Sequence, residues 1–189
     1  MLFRSAASAV GYPVAIKLAS ATITHKTDVG GVILDVADAT AARQAFADIH
    51  ARLAAIGRAA EMDGVTVQPM VPRGVELFVG ATRTPGFGPL IGFGIGGVAV
   101  ELWKDVGFRV HPLTDADATE LIDGVRAQAL LDGFRGGPVA DRPALRDAIL
   151  RIDRLMGDLD AVLELDLNPI VTRGPGQGVI AIDARIRVA

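Results

Sequence analysis

The chain has 189 residues, half of them hydrophobic, a net charge of −3 and no cysteine. That length suffices for one compact domain or two small lobes around a cleft, and the charge excludes a general attraction to nucleic acid or anionic lipid. The missing thiol excludes disulfides, thiolate catalysis and Cys-bound zinc, and no apolar run reaches the roughly 20 residues of a membrane crossing, so a cytoplasmic location is the default expectation.

Residues 2–9 read as the end of a helix closed by Gly11 and Pro13. Val14-Ala15-Ile16 opens a short apolar strand that runs into Lys17. Residues 20–31 have turn composition, and a second strand covers 32–36. Positions 37–57 read as an amphipathic helix, with Val36, Ala39, Phe46, Ile49, Leu53 and Ile56 near helical spacing and Asp38 placed to cap it. Alternation over 65–70, the Pro72-Arg73-Gly74 break and the apolar run to Ala81 predict a hairpin. Strands follow at 89–93, 98–102 and 107–111. A Thr114-x-x-Asp117 capping pattern starts a helix expected to reach Leu131. Residues 133–138 read as loop, 141–156 as helix, and 161–171 and 179–188 as two closing strands. Hairpins rather than strict strand–helix alternation place the chain in the α+β class, with lobes over 1–70 and 71–189.

One stretch with chemical content is Thr24-His25-Lys26-Thr27-Asp28-Val29-Gly30-Gly31. A phosphate site needs cations, main-chain N–H groups and a backbone that comes close. His25, Lys26, Gly30 and Gly31 supply these, and Lys17 ends the preceding strand. Only three of the nineteen basic residues are lysines, and two of them are Lys17 and Lys26. A hairpin loop with surface charges has the same composition. His25 suits either a phosphoryl acceptor, through a neutral ring nitrogen, or a hydrogen-bond donor to phosphate. His50 and His111 read as structural or exposed.

The other stretch is Glu164-Leu165-Asp166-Leu167-Asn168-Pro169-Ile170, followed by Ala181-Ile182-Asp183-Ala184-Arg185. Magnesium takes oxygen ligands, often one or two from protein and the rest from nucleotide phosphates. Asp166 and Asn168 lie two apart on a strand and share a face that Glu164 extends. Asp183 approaches Asn168 if the last two strands pair. A polar strand face in solvent reads the same way. Between the two stretches, Gln68-Pro69-Met70-Val71 offers main-chain groups to an adenine edge, and Glu76 offers a carboxylate to ribose hydroxyls. The Gly92-Phe93-Gly94-Ile95-Gly96-Gly97 run is not a dinucleotide fingerprint, because no helix pattern follows it.

These motifs, with Gly11 to Lys17, Glu76 to Gly80, Phe87-Gly88-Pro89, Gly96-Gly97, Glu101, Asp105, Arg109 and Pro112-Leu113, occur in one order along nearly the whole chain. In that order they resemble the β-subunit-type ATP-grasp domain of NDP-forming acyl-CoA synthetases. That group includes ADP-forming acetate–CoA ligases, with succinyl-CoA synthetase β chains as more distant relatives. The resemblance implies an ATP-grasp fold, Mg2+ with ATP or ADP, and exchange of acid, CoA and ATP with acyl-CoA, ADP and phosphate through phosphohistidine. It implies His25 as a phosphoryl relay, Lys17 as the nucleotide-phosphate lysine, Gln68, Met70 and Val71 as the adenine hinge, and Glu76 as the ribose acid. Asn168 and Asp183 match a magnesium pair, with Asp166 as a further candidate ligand. It also implies a CoA-binding and ligase partner, either an α subunit or further domains, an oligomeric assembly, and a first lobe incomplete at its start. Thr84-Pro85 departs from the family's Asp-Pro, and Arg185 from the lysine of the succinyl relatives. Two other readings are a catalytically silent regulatory domain, as in bacterial protein lysine acetyltransferases, and a nucleotide-free assembly domain.

Overall fold

The computed structural model describes residues 2–97, 105–126 and 128–189. The chain divides into two compact units, Met1–Val71 and Pro72–Ala189.

In the first unit, α1 (Leu2–Val10), β1 (Val14–Ala19), β2 (Val32–Val36), α2 (Ala39–Ala55) and β3 (Gly64–Pro69) build a three-stranded antiparallel sheet ordered β2-β1-β3. Val14, Ile16 and Leu18 of β1 alternate onto one face and pack with Ala42, Ala45, Ile49 and Leu53 of α2. Asp38 caps α2 by accepting the N–H groups of Thr40 and Ala41, both at 2.8 Å. The buried stripe is narrower than the spacing suggested. Phe46 is only half-buried, and Ile56 is 53% exposed because it lies past the last turn.

In the second unit, β4 (Val75–Thr84), β5 (Gly88–Ile95), β6 (Val106–Val110), β7 (Val162–Thr172) and β8 (Val179–Ala181) form a sheet ordered β6-β5-β4-β7-β8. β9 (Ala184–Val188) also pairs with β7. Among the described residues three helices accompany it: α3 (Asp115–Asp123), α4 (Gln128–Leu131) and α5 (Arg142–Asp158). Leu77, Val79, Ile91, Phe93 and Leu165 meet Leu121 of α3 and Leu145, Ile149 and Met156 of α5 in one core. The open face of this sheet is the one that carries Glu76, Phe78, Gly80 and Asp166, by alternation with those core residues. Among the described residues no helix is long and apolar enough to cross a membrane.

Four expectations need correction. The hairpin over 65–81 does not form. β3 pairs with β1 from Val14↔Pro69 to Ala19↔Gly64, whereas β4 pairs with β5 and β7 in the other unit. The helix expected to run from Thr114 to Leu131 has its capping box at Thr114 and Asp117 but stops at Gly124, a poor helix residue. The loop over 133–138 contains a 3-10 turn, Phe134–Gly136. The last strand is two strands, β8 and β9, parted at Ile182 and Asp183. The strand expected at 98–102, with Glu101, lies outside the described residues.

Asp141 caps α5 through Ala144 N–H at 3.2 Å and also takes Gly178 N–H at 2.8 Å. These bonds, Gly178's foremost, hold its carboxyl below the usual carboxylate range. A depressed folded value means stability that is fully present above the unfolded value, about 4, and lost as pH falls through the folded one. Urea midpoints should therefore fall between pH 5 and pH 3 less steeply in Asp141→Asn than in the wild type. Equal slopes would remove Asp141 from acid unfolding.

Candidate functional site

The sheet of the first unit presents Lys17 and Gln68 on the face opposite α2. Lys17 pairs with Thr66, Gln68 pairs with Ala15, and the intervening Ile16 points into the core. Lys17 is buried at 6% exposure, where an ammonium group needs anionic or polar company. The residues expected to form an adenine hinge are engaged as well. Met70 donates its N–H to the Pro13 carbonyl at 3.4 Å, its sulfur takes the Asp35 N–H at 3.5 Å, and both Met70 and Val71 are half-buried. Met70 therefore has less main-chain capacity left for a base than a bare linker would.

His25 stands exposed on the loop between β1 and β2. The buried Ile23 roots that loop in the core. Gly30 N–H bonds Thr27 C=O at 3.0 Å, and Gly31 N–H bonds Lys26 C=O at 2.7 Å. Both glycine amides are thus used inside the turn, and the expected cradle of amides at Gly30 and Gly31 is already spent on the loop's own shape. Gly30 is a glycine for a conformational reason: its φ is +64°, and a Cβ there would lie 2.9 Å from Arg52 Cδ. Thr22 donates to Glu61, which Arg58 grips at 2.6 and 2.7 Å. The Arg58 bond first, then the Thr22 hydroxyl, pull the Glu61 carboxyl down to about 2.

The second unit gathers Glu76, Gly97, Asn168 and Asp183. Leu77 faces Ile170 and Val79 faces Leu167, so Asn168 and Pro169 together oppose the single Phe78. This is a β-bulge, a device that redirects side chains. At the bulge Asn168 N–H donates to Asp183 C=O at 3.2 Å, and Ile182 N–H donates to Pro169 C=O at 2.9 Å. Asn168, the one asparagine of the chain, has its side-chain Oδ1 on the Gly97 N–H at 2.9 Å. Gly97 in turn has φ +66°, and a Cβ on it would fall 2.4 Å from Glu76 Oε2. Sequence reasoning placed Glu76 and Asn168 separately and paired Asn168 with Asp183. Gly97, which joins the first two, stood in the glycine-rich run and in the Gly96-Gly97 motif without a role of its own. Asp166 lies opposite Gly80, on the open face next to the bulge. Beside it a cavity of about 240 Å³ is lined by Phe78, Gly80, Leu90, Gly92, Phe108 and Asp166, among others.

These donors suit a hard divalent cation. Asn168 Oδ1 keeps a second lone pair beside its bond to Gly97, and Asp183 Oδ1 accepts Ala184 N–H at a relaxed 3.2 Å. Among the described residues no three His, Cys, Asp or Glu side chains form a metal cage. A cation here would take one or two protein oxygens and complete its shell from phosphate and water, as Mg2+ does. His111 belongs to a different set. Its Nδ1 lies 2.8 Å from Asp153 Oδ1, and Asp153 Oδ2 accepts Leu113 N–H at 3.2 Å, which ties the β6–α3 connection to α5.

A family model described as an ATP-grasp domain matches residues 3–188. The β subunit of ADP-forming acetate–CoA ligase II from Pyrococcus furiosus is 40% identical over 181 residues, which cover 95% of this chain and 77% of that subunit. The ADP-forming 4-hydroxybutyrate–CoA ligase of Nitrosopumilus maritimus is 39% identical over 181 residues, or 96% of this chain but 26% of that longer protein. The chain thus spans about a quarter of the length of such longer relatives. Among solved structures, an acetyl-coenzyme A synthetase of Ca. Korarchaeum cryptofilum in complex with coenzyme A and Ca-AMPCP superposes with a TM-score of 0.90 at 39% identity, covering 98% of this chain and 80% of that chain. Another form of that enzyme holds coenzyme A and Mg-AMPPCP, with its phosphohistidine segment pointing towards the nucleotide binding site. The chain belongs to the ATP-grasp domain family, in the β-subunit type shared by NDP-forming acyl-CoA synthetases and ADP-forming acetate–CoA ligases.

Proposed function

We propose that this chain is the nucleotide-binding, phosphoryl-transferring part of an ADP-forming acyl-CoA synthetase. The whole enzyme converts an acid, CoA and ATP into acyl-CoA, ADP and phosphate. The observation that carries the reading is the bulge at Asn168 and Pro169, which sets Asn168 against Asp183 and, through Gly97, against Glu76. Asn168 and Asp183 hold Mg2+, with Asp166 as a further ligand, and the ion neutralises phosphate charge when bound. Glu76 accepts hydrogen bonds from ribose hydroxyls. Lys17 and Lys26 supply positive charge to the phosphates, and Gly30 and Gly31 shape the loop beside them. Gln68, Met70 and Val71 contact adenine.

His25 relays the phosphoryl group. A neutral ring nitrogen forms an N–P bond as the bond from that phosphorus to the ADP oxygen breaks, and ADP leaves. The group then passes to a histidine of a CoA-binding partner, and from there to the acid as an acyl phosphate. The partner is an α subunit or further domains of the same protein, in the cytoplasm. Calorimetry on the enzyme assembled with that partner tests the nucleotide assignment. Mg-ADP should bind at micromolar to sub-millimolar Kd, on the order of usual substrate affinities, and Lys17→Ala should weaken it about tenfold. Absence of binding in the assembled wild type would refute the assignment.

A further inference from the structure

The rate of a phosphoryl transfer depends on where the reacting groups are held. An exposed imidazole on a long loop is a poor relay unless that loop is fixed. The loop over 20–31 is fixed at two feet, both inside the first unit. At the first, Ser20 Oγ accepts the N–H of Ile23 at 3.0 Å, Ala21 N–H donates to Asp63 Oδ2 at 3.0 Å, and Thr22 donates to Glu61. Glu61 stays ionised down to about pH 2, so this foot keeps its charge throughout the working range. At the second foot, Arg52 Nη1 donates to the Gly30 carbonyl at 2.7 Å, and Leu18 N–H donates to the Gly31 carbonyl at 2.7 Å.

The two feet differ in what they grip. The first holds the residues just before Thr24 and His25. The second holds the far end of the turn closed by Gly30 N–H on Thr27 and Gly31 N–H on Lys26. Without Arg52 that turn keeps its internal bonds but loses the hydrogen bond from Arg52 of α2. The Arg52 side chain passes close over Gly30, with its Cδ 2.9 Å from where a Cβ would stand.

We propose that Arg52 is a positioning residue for phosphoryl transfer: from the last turn of α2 it holds the Gly30 carbonyl and thereby sets the orientation of His25. This rests on the reading of His25 as the relay. Arg52 itself touches neither substrate nor the reacting atoms in this assignment.

The test uses the assembled synthetase and follows ADP–ATP phosphoryl exchange together with amide hydrogen exchange over residues 20–31. Arg52→Ala should lower kcat about 30-fold, keep KM for ADP within about twofold, and speed amide exchange in the loop, because displacement of a reacting group costs rate rather than binding. Arg52→Lys retains a donor of similar reach and should recover kcat to within about fivefold of the wild type. A loss of kcat below about threefold in Arg52→Ala, a KM that rises as far as kcat falls, or a lysine variant as slow as the alanine variant would each overturn the proposal. If the wild type itself shows no exchange dependent on His25, the relay reading fails instead. Amide exchange then still separates the two questions, because it shows whether Arg52 holds the loop.

Discussion

The His25→Ala enzyme is expected to lose ADP–ATP phosphoryl exchange by roughly 10³-fold or more, since removing the proposed covalent nucleophile leaves only binding and electrostatics. It should nonetheless melt with the wild type. His25 is exposed, and the loop beneath it is secured by Ile23, by Thr22 on Glu61 and by Arg52 on Gly30 rather than by the imidazole. Exposed substitutions of this kind usually change stability by no more than about 0.5 kcal/mol. Mg-ADP affinity should also persist, because the lysines and the oxygen ligands proposed for nucleotide and metal are untouched. This separates a relay from a phosphate donor: if His25 only hydrogen-bonds phosphate, affinity and exchange fall together by about tenfold. Exchange within threefold of the wild type would make His25 a bystander.

The second large effect is expected at Asp183. Its main-chain carbonyl takes the Asn168 N–H at 3.2 Å, and that bond does not depend on the side chain. Alanine therefore removes the carboxylate while the bulge stays paired. Mg-ADP affinity should drop about 10- to 100-fold, the range seen when metal-site partners are lost. With the cation chelated, the variant and the wild type should bind ADP alike. That control matters because a collapsed strand end would weaken both forms equally. Equal Mg-ADP affinity in the two proteins would take Asp183 out of the metal site.

Local features of this fold were legible in the chain where one residue decides them. Asp38 capping α2, the Thr114–Asp117 box, and the approach of Asn168 to Asp183 follow from short-range chemistry. Pairing at a distance was not legible. The alternation of Val65, Val67 and Pro69 is the same whether the partner is the next strand or β1, some fifty residues back, and adjacency in sequence favoured the wrong one. The bulge had a signal that went unread: Pro169 lacks an N–H, so a strand paired on both sides has to deform around it. The glycines of the His25 loop point to a third limit. Composition shows that Gly30 and Gly31 permit a tight turn, but not that their N–H groups are consumed by Thr27 and Lys26. Nor does it show Arg52, a residue of another helix, reaching over to hold that turn.

Pro169, at the bulge, has one more effect, on how the molecule ages. Side-chain amides of asparagine commonly hydrolyse when the next residue's backbone nitrogen attacks them and closes a succinimide ring. Proline at 169 has no N–H with which to do so. The chain's one asparagine is thereby shielded from its commonest spontaneous lesion, and the donor proposed for the cation should outlast prolonged storage in the warm with its chemical identity intact.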